Sequence, residues 1–197
     1  MKSPMYWYPI IYNIIMRALY GKNLDKNFKI IAKEIGNLSV LDLCSGTSAL
    51  FNYLNGNDYV GLDINQNFVE YARKRGINAR VADVLKEKWP KKDCIVISSS
   101  LYQFIPNHEK LLQKMLKNAG KKVIISEPIK NLSSSKNFVI SFIARKLSHT
   151  GKEDAEKRLN RKQMMYLCKK YKGKKIKIVG RNLICCFEIK GRKKWKN

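Results

Sequence analysis

The chain has 197 residues and a mass of 22.9 kDa, a length that fits one domain with a substantial core and is short for two. Its 45% hydrophobic content argues against disorder, although a formal net charge of +25 is extreme for this size. Because residues 100–197 hold 26 Lys and Arg against 6 Asp and Glu, the basic second half predicts an anionic partner: nucleic acid, a phospholipid surface or a phosphorylated substrate.

The first 36 residues are interpreted as an N-terminal helical cap. The stretch "PMYWYPIIYNIIMRALYG" is apolar and aromatic, but it contains Pro9, Asn13 and Arg17 and has no small-residue cleavage site. It is therefore neither a convincing membrane span nor a signal peptide. A helix that packs over the core or covers a site is favoured, and a helix that dips into a lipid interface is the alternative. A second helix follows between Asn23 and Gly36.

Strands alternate with helices through the middle of the chain. Five short apolar runs predict strands: "LSVLDL", "DYVGLDI", "INARVADV", "KDCIVISSS" and "KKVIISEP". "NQNFVEYARKRG" predicts a helix, and so does the stretch after Asn107, where His108 is placed one turn in. This alternation implies right-handed crossovers and a parallel sheet, which is a doubly wound α/β fold.

After Pro128 the pattern changes. "SKNFVISFIARKL" and "NRKQMMYLCKKY" predict two amphipathic helices, which form a helical insertion at 129–172 between strands five and six. The last two strands, "KKIKIVG" and "LICCFEI", are joined by a turn too short for a crossover, so they must be antiparallel neighbours. Residues 1–197 are thus interpreted as one domain.

The five cysteines include no CxxC pair, and the neighbours Cys185 and Cys186 should point to opposite faces of a strand. They are interpreted as reduced thiols of a cytoplasmic protein. With only His108 and His149 available, no zinc or iron ligand set is visible, and no metal is expected.

Polar residues gather at the predicted carboxyl ends of the strands, where open α/β sheets bind ligands. Asp42 precedes the small-residue turn "CSGTS", and Asp63 follows about 20 residues later, where an acid can accept hydrogen bonds from both ribose hydroxyls. Gly46 alone remains of a GxGxxG pattern, so a nucleoside cofactor without phosphates fits better than a dinucleotide. Asp42 favours a cationic group on that ligand.

These motifs resemble those of class I S-adenosylmethionine-dependent methyltransferases. "VLDLCSGTS" is similar to the first motif of that family, "YVGLDIN" to the ribose-binding second, "ARVADVL" to the adenine-binding third and "DCIVISSSLYQFIP" to the fourth. The resemblance covers about residues 38–128. It implies a Rossmann-like, seven-stranded, mostly parallel sheet in the order 3-2-1-4-5-7-6, with an antiparallel C-terminal hairpin, and S-adenosyl-L-methionine as the cofactor.

The resemblance also implies site residues. The methionine pocket would be shaped by Asp42, Cys44 and Gly46, the ribose held by Asp63, and the adenine contacted by Ile64, Asp83 and the Val84 backbone, with Ser98 at the end of strand four and Tyr12 as the cofactor lid. Cys44 and Ser48 stand where the family commonly has glycine. Either would narrow the pocket if its backbone needs a positive φ.

Catalysis by methyl transfer needs the acceptor held in line with the methyl group, so positioning can supply much of the rate. A hydroxyl acceptor would benefit from a general base, for which His108, His149 and Glu127 are the candidates. A surface position is favoured for His108 over a catalytic one, and Glu127 can equally cap a neighbouring helix. Tyr102 either faces the acceptor or packs beneath the following helix.

Three functions stay open. "SSSLYQFIPNHEKLL" resembles the corresponding stretch of small-molecule methyltransferases, and it lacks the Asn/Asp-Pro-Pro-aromatic motif of many nucleic-acid amino-group methyltransferases. This favours an enzyme that acts on a small-molecule or lipid-linked acceptor. In one version of this function, the basic half of the chain brings the enzyme to an anionic membrane. An RNA methyltransferase is the first alternative, with lysines of the "KKYKGKKIK" segment lining a phosphate track. A non-catalytic S-adenosylmethionine-binding regulatory or partner protein is the second. The oligomeric state is left open.

Overall fold

The computed structural model describes residues 7–129 and 158–189. Two helices come first, α1 (Pro9–Tyr20) and α2 (Lys22–Ile35). Strands and helices then alternate; they are β1 (Val40–Leu43), β2 (Tyr59–Asp63), α3 (Gln66–Lys74), β3 (Ala79–Val81), β4 (Cys94–Ser98), α4 (His108–Asn118) and β5 (Lys122–Pro128). Short 3₁₀ helices follow β1 (Ala49–Tyr53) and β4 (Leu101–Phe104). The described chain ends with α5 (Arg161–Lys170), β6 (Lys175–Val179) and β7 (Asn182–Glu188).

The strands form one seven-stranded sheet in the order β3-β2-β1-β4-β5-β7-β6. β1 pairs in parallel with β2 and β4, and β7 pairs antiparallel with β5 and β6. The fold class and the strand order implied by the resemblance are both confirmed. The parallel pairing brings the carboxyl ends of β1, β2, β3 and β4 to one edge, and this edge positions the site.

Two apolar layers cover the two faces of the sheet. One buried cluster packs around α4 and α5, and the other packs around α2 and α3. Cys185 belongs to the first cluster and Cys186 to the second, so their predicted opposite orientation is confirmed. All four residues of β1 are buried, as expected for a central parallel strand that has a layer on each face.

The structure changes two details around α4. His108 is the first residue of the helix, so its predicted place one turn in is wrong. Asn107 holds the N-cap position, but its side chain makes no capping hydrogen bond. Asn160 shows what a full cap looks like, because it and Gln163 form a reciprocal capping box at the start of α5.

The predicted cap at 1–36 contains α1 and α2, and the predicted insertion at 129–172 contains α5. The predicted helix "SKNFVISFIARKL" lies outside the described residues. Within the two described ranges, the helices are too short or too polar for any of them to cross a bilayer.

Candidate functional site

A cavity of about 320 Å³ lies at the carboxyl ends of β1 and β4. One wall is the turn after β1 together with the residues that follow β4, and the other walls are α1, α2 and the first 3₁₀ helix. Five of the nine predicted cofactor residues line it: Tyr12, Asp42, Cys44, Gly46 and Ser98. The other four, Asp63, Ile64, Asp83 and Val84, follow the neighbouring strands β2 and β3 and lie outside this wall.

The turn after β1 keeps the backbone of a glycine-rich loop although two of its positions are not glycine. Cys44, Gly46 and Ser48 all have positive φ, at 54°, 56° and 56°. The left-handed conformation costs a residue with a Cβ about 1–2 kcal/mol. Both residues that stand where the family commonly has glycine therefore need a positive φ, and Cys44 and Ser48 hold a strained backbone conformation there.

Asp42 is buried beneath the turn in a network of hydroxyl groups. The Tyr59 hydroxyl donates a 2.9 Å hydrogen bond to Asp42 Oδ2, and the Tyr59 oxygen also bonds to Ser45 and Ser48. Burial raises the pKa of Asp42 to about 7, partly opposed by the Tyr59 hydrogen bond and reinforced by the nearby charge of Asp63. A carboxyl group whose pKa lies near neutral pH can carry a negative charge beside a cavity, which suits a cationic ligand.

The glycine at position 61, in the middle of β2, makes room for these hydroxyls. A Cβ there would lie 2.8 Å from Ser45 Oγ and 2.9 Å from Ser48 Oγ. Any larger residue would push the turn away from the sheet. Gly61 was not singled out by its sequence motif, because a glycine inside a strand gives no indication of what approaches it.

Asp63 ties the turn to β2. Its Oδ2 accepts a 2.7 Å hydrogen bond from the Gly46 backbone N–H, and its Oδ1 accepts one of 2.8 Å from the Asn65 N–H. The predicted ribose ligand is thus also a structural anchor of the loop. Ile64, predicted to pack on adenine, is 59% exposed beside it.

The loop after β3 carries Asp83 and Val84 and is held from the outside by a lysine. Asp83 Oδ1 accepts a hydrogen bond of 2.9 Å from the Leu85 N–H. Lys114 Nζ, on α4, donates to the carbonyl oxygens of Val84, Leu85 and Glu87 at 2.9–3.2 Å. The same ammonium lies 4.4 Å from the Trp89 ring centroid. No pattern in the sequence marks Lys114 for this role.

Helix α1 crosses the turn. The Thr47 hydroxyl donates a 2.7 Å hydrogen bond to Asn13 Oδ1, and the Tyr12 and Phe68 ring centroids are 4.8 Å apart. A Cβ placed on Gly46 would lie 4.0 Å from the Tyr12 ring. Tyr12 therefore lies over the glycine of the turn, and its role as a cofactor lid stays a prediction.

Two of the suggested general bases, Glu127 and His108, are described by the structure and do not line the cavity. Glu127 is buried, and its Oε1 accepts 2.7 Å hydrogen bonds from the Ser100 and Leu101 N–H groups. Burial raises its pKa to about 7, partly offset by these backbone bonds.

The guanidinium of Arg158 lies 4.5 Å from the Tyr102 ring centroid. His108 Nδ1 is buried without a hydrogen-bond partner in the described part of the chain, and His149 lies outside the described residues.

Three further polar residues form a buried chain that reaches the cavity. The Ser126 hydroxyl donates to Asn27 Oδ1 at 2.9 Å, and Asn182 Nδ2 donates to Ser126 Oγ at 3.2 Å. Asn27 and Asn182 line the cavity, and no described residue bonds to Asn182 Oδ1. Sequence reasoning missed all three, because α2, β5 and β7 are brought together only by the fold.

The comparisons with known proteins agree with this fold. A family model described as a methyltransferase domain matches residues 35–194. No curated protein is similar enough in sequence to count as a match. Among solved structures, the magnesium protoporphyrin IX methyltransferase ChlM from Synechocystis PCC 6803, with bound SAH, is similar with a TM-score of 0.65 at 12% identity, over 89% of this chain and 93% of that one.

Two other similar structures broaden the range of named substrates. The plantazolicin methyltransferase BpumL, in complex with a pentazolic desmethylPZN analog and SAH, has a TM-score of 0.60 at 16% identity, over 90% of this chain and 86% of its own. The 16S rRNA methyltransferase RmtF, in complex with S-adenosyl-L-homocysteine, has a TM-score of 0.56 at 18% identity, over 87% and 64%. At these identities, the likeness shows a shared fold.

Proposed function

The chain belongs to the methyltransferase domain family, and from this membership we propose that it transfers a methyl group from S-adenosylmethionine to a small-molecule or lipid-linked acceptor. The observation that carries the acceptor class is the cavity of about 320 Å³. Its wall joins the family's first motif to the aromatic and amide side chains of α1 and α2. A concave site of this volume is in the range that binds small ligands.

S-adenosylmethionine, when bound, supplies a methyl group on a positively charged sulfur. The residues present fit such a ligand, because the cavity wall contains a buried carboxyl group at Asp42 and a turn whose Gly46 has no side chain. Ionised Asp42 would favour a cation, and Asp63, Asp83 and Ile64 would hold the nucleoside in the roles that the sequence motifs assign. Tyr12 would exclude water from the cofactor side.

The chain's own groups favour catalysis by positioning. Glu127 is engaged by two backbone N–H groups, and burial raises the pKa of Tyr20, which lines the cavity, to about 12. Tyr20 thus stays protonated and can donate a hydrogen bond to an acceptor. Holding an amine or another good nucleophile in line with the methyl group then supplies the rate.

Acceptor choice is supported by the chemistry of the cavity wall. Aromatic rings from Tyr12, Tyr20 and Phe28 alternate with the amides of Asn13, Asn27 and Asn182. Such a wall suits an organic acceptor with an apolar body and a few hydrogen-bonding groups. Two similar structures support an organic acceptor by their names, because ChlM is a magnesium protoporphyrin IX methyltransferase and BpumL is a plantazolicin methyltransferase.

RNA remains the alternative acceptor, favoured by the net charge and by the fold shared with an rRNA methyltransferase. Three of the lysines predicted to form a phosphate track are already in ion pairs. Lys170 bonds Glu109 at 2.6 Å, Lys174 bonds Glu188 at 2.6 Å, and Lys177 bonds Glu34 at 3.1 Å. These pairs reduce the charge available for phosphates, so the small acceptor is preferred.

The test uses the full chain with S-adenosylmethionine labelled in its methyl group. Calorimetry should show binding of S-adenosylhomocysteine, and labelled methyl groups should appear in a small-molecule or lipid fraction of a cell extract. Label that enters only nuclease-sensitive material would assign RNA instead. Cofactor binding without transfer to any fraction would support the non-catalytic alternative, and failure to bind the cofactor would refute the proposal.

A further inference from the structure

Helix α1 has two faces with different surroundings. Tyr12, Asn13, Met16 and Tyr20 lie on one side and line the cavity. On the opposite side, three apolar residues of α1 follow helical spacing and are exposed to solvent: Ile10 at 62%, Ile11 at 47% and Ile14 at 63%. Trp7, two residues before the helix begins, is 56% exposed. Tyr8, exposed by 57%, extends this apolar face of α1 at its N-terminal end.

A continuous exposed patch of large apolar residues is a mark of an interaction surface, since single exposed apolar residues are usually scattered. Within residues 7–20 there is no acidic residue, and the only charge is Arg17 at the C-terminal end of α1. Arg17 pairs with Asp25 of α2 at 3.4 Å. The partner of this face must therefore be apolar where it meets the isoleucines.

The neighbouring helix α2 adds positive charge. Lys22, Lys26, Lys29 and Lys33 are all exposed and follow i, i+4, i+7 and i+11 spacing, so they form a lysine stripe along one face of α2. Helices α1 and α2 pack against each other. An apolar patch beside a lysine stripe combines the two attractions that bind a helix to the surface of an anionic bilayer.

We propose that the apolar face of α1 docks onto an anionic lipid membrane. Trp7 and Tyr8 are the residue types that prefer the boundary between headgroups and acyl chains. Ile10 and Ile14 enter the acyl side of that boundary, and the lysine stripe of α2 contacts the headgroups. A second copy of the chain is a poorer occupant, because each copy carries a formal charge of +25 and the two would repel.

The proposal does not depend on methyl transfer, because docking needs neither cofactor nor acceptor. The cavity side of α1 stays attached to the domain through the Thr47–Asn13 hydrogen bond and the contact between Tyr12 and Phe68. At the start of the helix, Asn67 Nδ2 donates to the Trp7 carbonyl oxygen at 3.3 Å. The opposite face can thus enter a membrane while α1 remains packed on the domain.

Vesicle flotation with the full chain tests the proposal. Vesicles of phosphatidylcholine alone are compared with vesicles containing about one quarter phosphatidylglycerol. The wild-type chain should bind the anionic vesicles, and the double variant Ile10→Asn/Ile14→Asn should bind roughly tenfold more weakly or worse, since two apolar side chains no longer leave water. Tyr166→Asn is the matched control, because Tyr166 of α5 is 62% exposed, as Ile14 is at 63%, and it should bind normally.

Two further measurements identify the surfaces involved. Replacing the four lysines of the stripe by glutamine should weaken binding to anionic vesicles and reduce its dependence on salt. The chain has three tryptophans, Trp7, Trp89 and Trp195, so the measurement uses a Trp195→Phe background. Brominated lipid should quench tryptophan fluorescence in that background, and this quenching should be lost when Trp7→Phe is added, which leaves Trp89 alone.

Several results would overturn the proposal. These are absence of binding to anionic vesicles, an equal loss of binding in the Tyr166 control, or quenching that persists when Trp7→Phe is added to Trp195→Phe. A large fall in melting temperature in the double variant would show that the face is covered by the chain itself. A dimer that dissociates in the double variant would assign the face to a second copy, and an RNA complex lost in the same variant would assign it to nucleic acid.

Discussion

The backbone N–H of Gly46 donates a 2.7 Å hydrogen bond to Oδ2 of Asp63, which joins the turn after β1 to the end of β2. The acid that the family resemblance assigns to the ribose therefore also fixes the loop to which the same resemblance assigns the methionine pocket. The resemblance thus predicts that the shape of this turn and the recognition of the nucleoside depend on the same carboxylate.

The first prediction concerns this carboxylate. Asp63→Ala should weaken binding of S-adenosylhomocysteine by about 1–3 kcal/mol, because charge-assisted hydrogen bonds are lost. Titration calorimetry measures the change. Glu70→Gln, an exposed acid on α3, is the control and should bind as the wild type does. Unchanged affinity in Asp63→Ala would remove Asp63 from the cofactor site.

The second prediction tests backbone strain at Cys44. Cys44→Gly should be more stable than Cys44→Ala by about 1 kcal/mol, because both variants lose the sulfur and only alanine keeps the Cβ at φ 54°. Urea unfolding gives the difference. At Cys94, a buried residue of β4 that has no positive φ, the order should reverse, and glycine should be the less stable variant. The same order at both cysteines would contradict the assignment of strain.

The third prediction concerns the dependence of stability on pH. Because the folded-state pKa of Asp42 is raised from 3.8 to about 7, the neutral carboxyl stabilises the fold below pH 3.8, and this contribution is lost as the pH rises through 7. Asp42→Asn keeps an acceptor for Tyr59 without the charge. The free energy of unfolding of the variant, relative to wild type, should therefore rise between pH 4 and 7 by up to about 4 kcal/mol. Urea unfolding measures both free energies. A difference between the two proteins that stays constant from pH 4 to 7 would contradict the prediction.

The fourth prediction tests Lys114 as a positioning residue for the loop after β3. Lys114→Met keeps most of the packing but removes three hydrogen bonds to loop carbonyls, each bond to a charged group contributing about 1.5–3 kcal/mol at most. Hydrogen exchange should accelerate at residues 84–88, and cofactor affinity should fall several-fold. Lys110→Met, an exposed substitution on the same helix, should change neither measurement. Faster hydrogen exchange with unaltered cofactor affinity would show that this loop does not contribute to cofactor binding.

The fifth prediction separates two roles for Glu127. Glu127→Ala should lower the free energy of unfolding by about 1–3 kcal/mol or more, because two buried N–H groups lose their acceptor. Glu127→Gln keeps a carbonyl oxygen at that position and should be clearly more stable than the alanine variant in urea unfolding. A glutamine variant that is stable but transfers no methyl group would instead identify Glu127 as a general base.

Much of the fold could be predicted from the sequence. Apolar runs such as "VLDL" and "CIVIS" are too short for helices and end in turn residues, so each strand is marked locally. The short connection between β6 and β7 settles their antiparallel pairing. Asp42, Gly46 and Asp63 could be placed together because the carboxyl ends of parallel strands meet at one edge.

Other features depend on contacts between distant segments, which local patterns do not encode. Lys114 and the loop at 84–87 are joined only when α4 and that loop pack into the same apolar cluster on one face of the sheet. Asn27, Ser126 and Asn182 come from three separate elements. The sequence by itself determined the strands, their acids and the small-residue turn, because those follow from periodicity and residue size. Only the tertiary structure decided which side chains line the cavity, the positive φ at Cys44 and Ser48, and which face of α1 meets solvent, because these depend on how the elements pack.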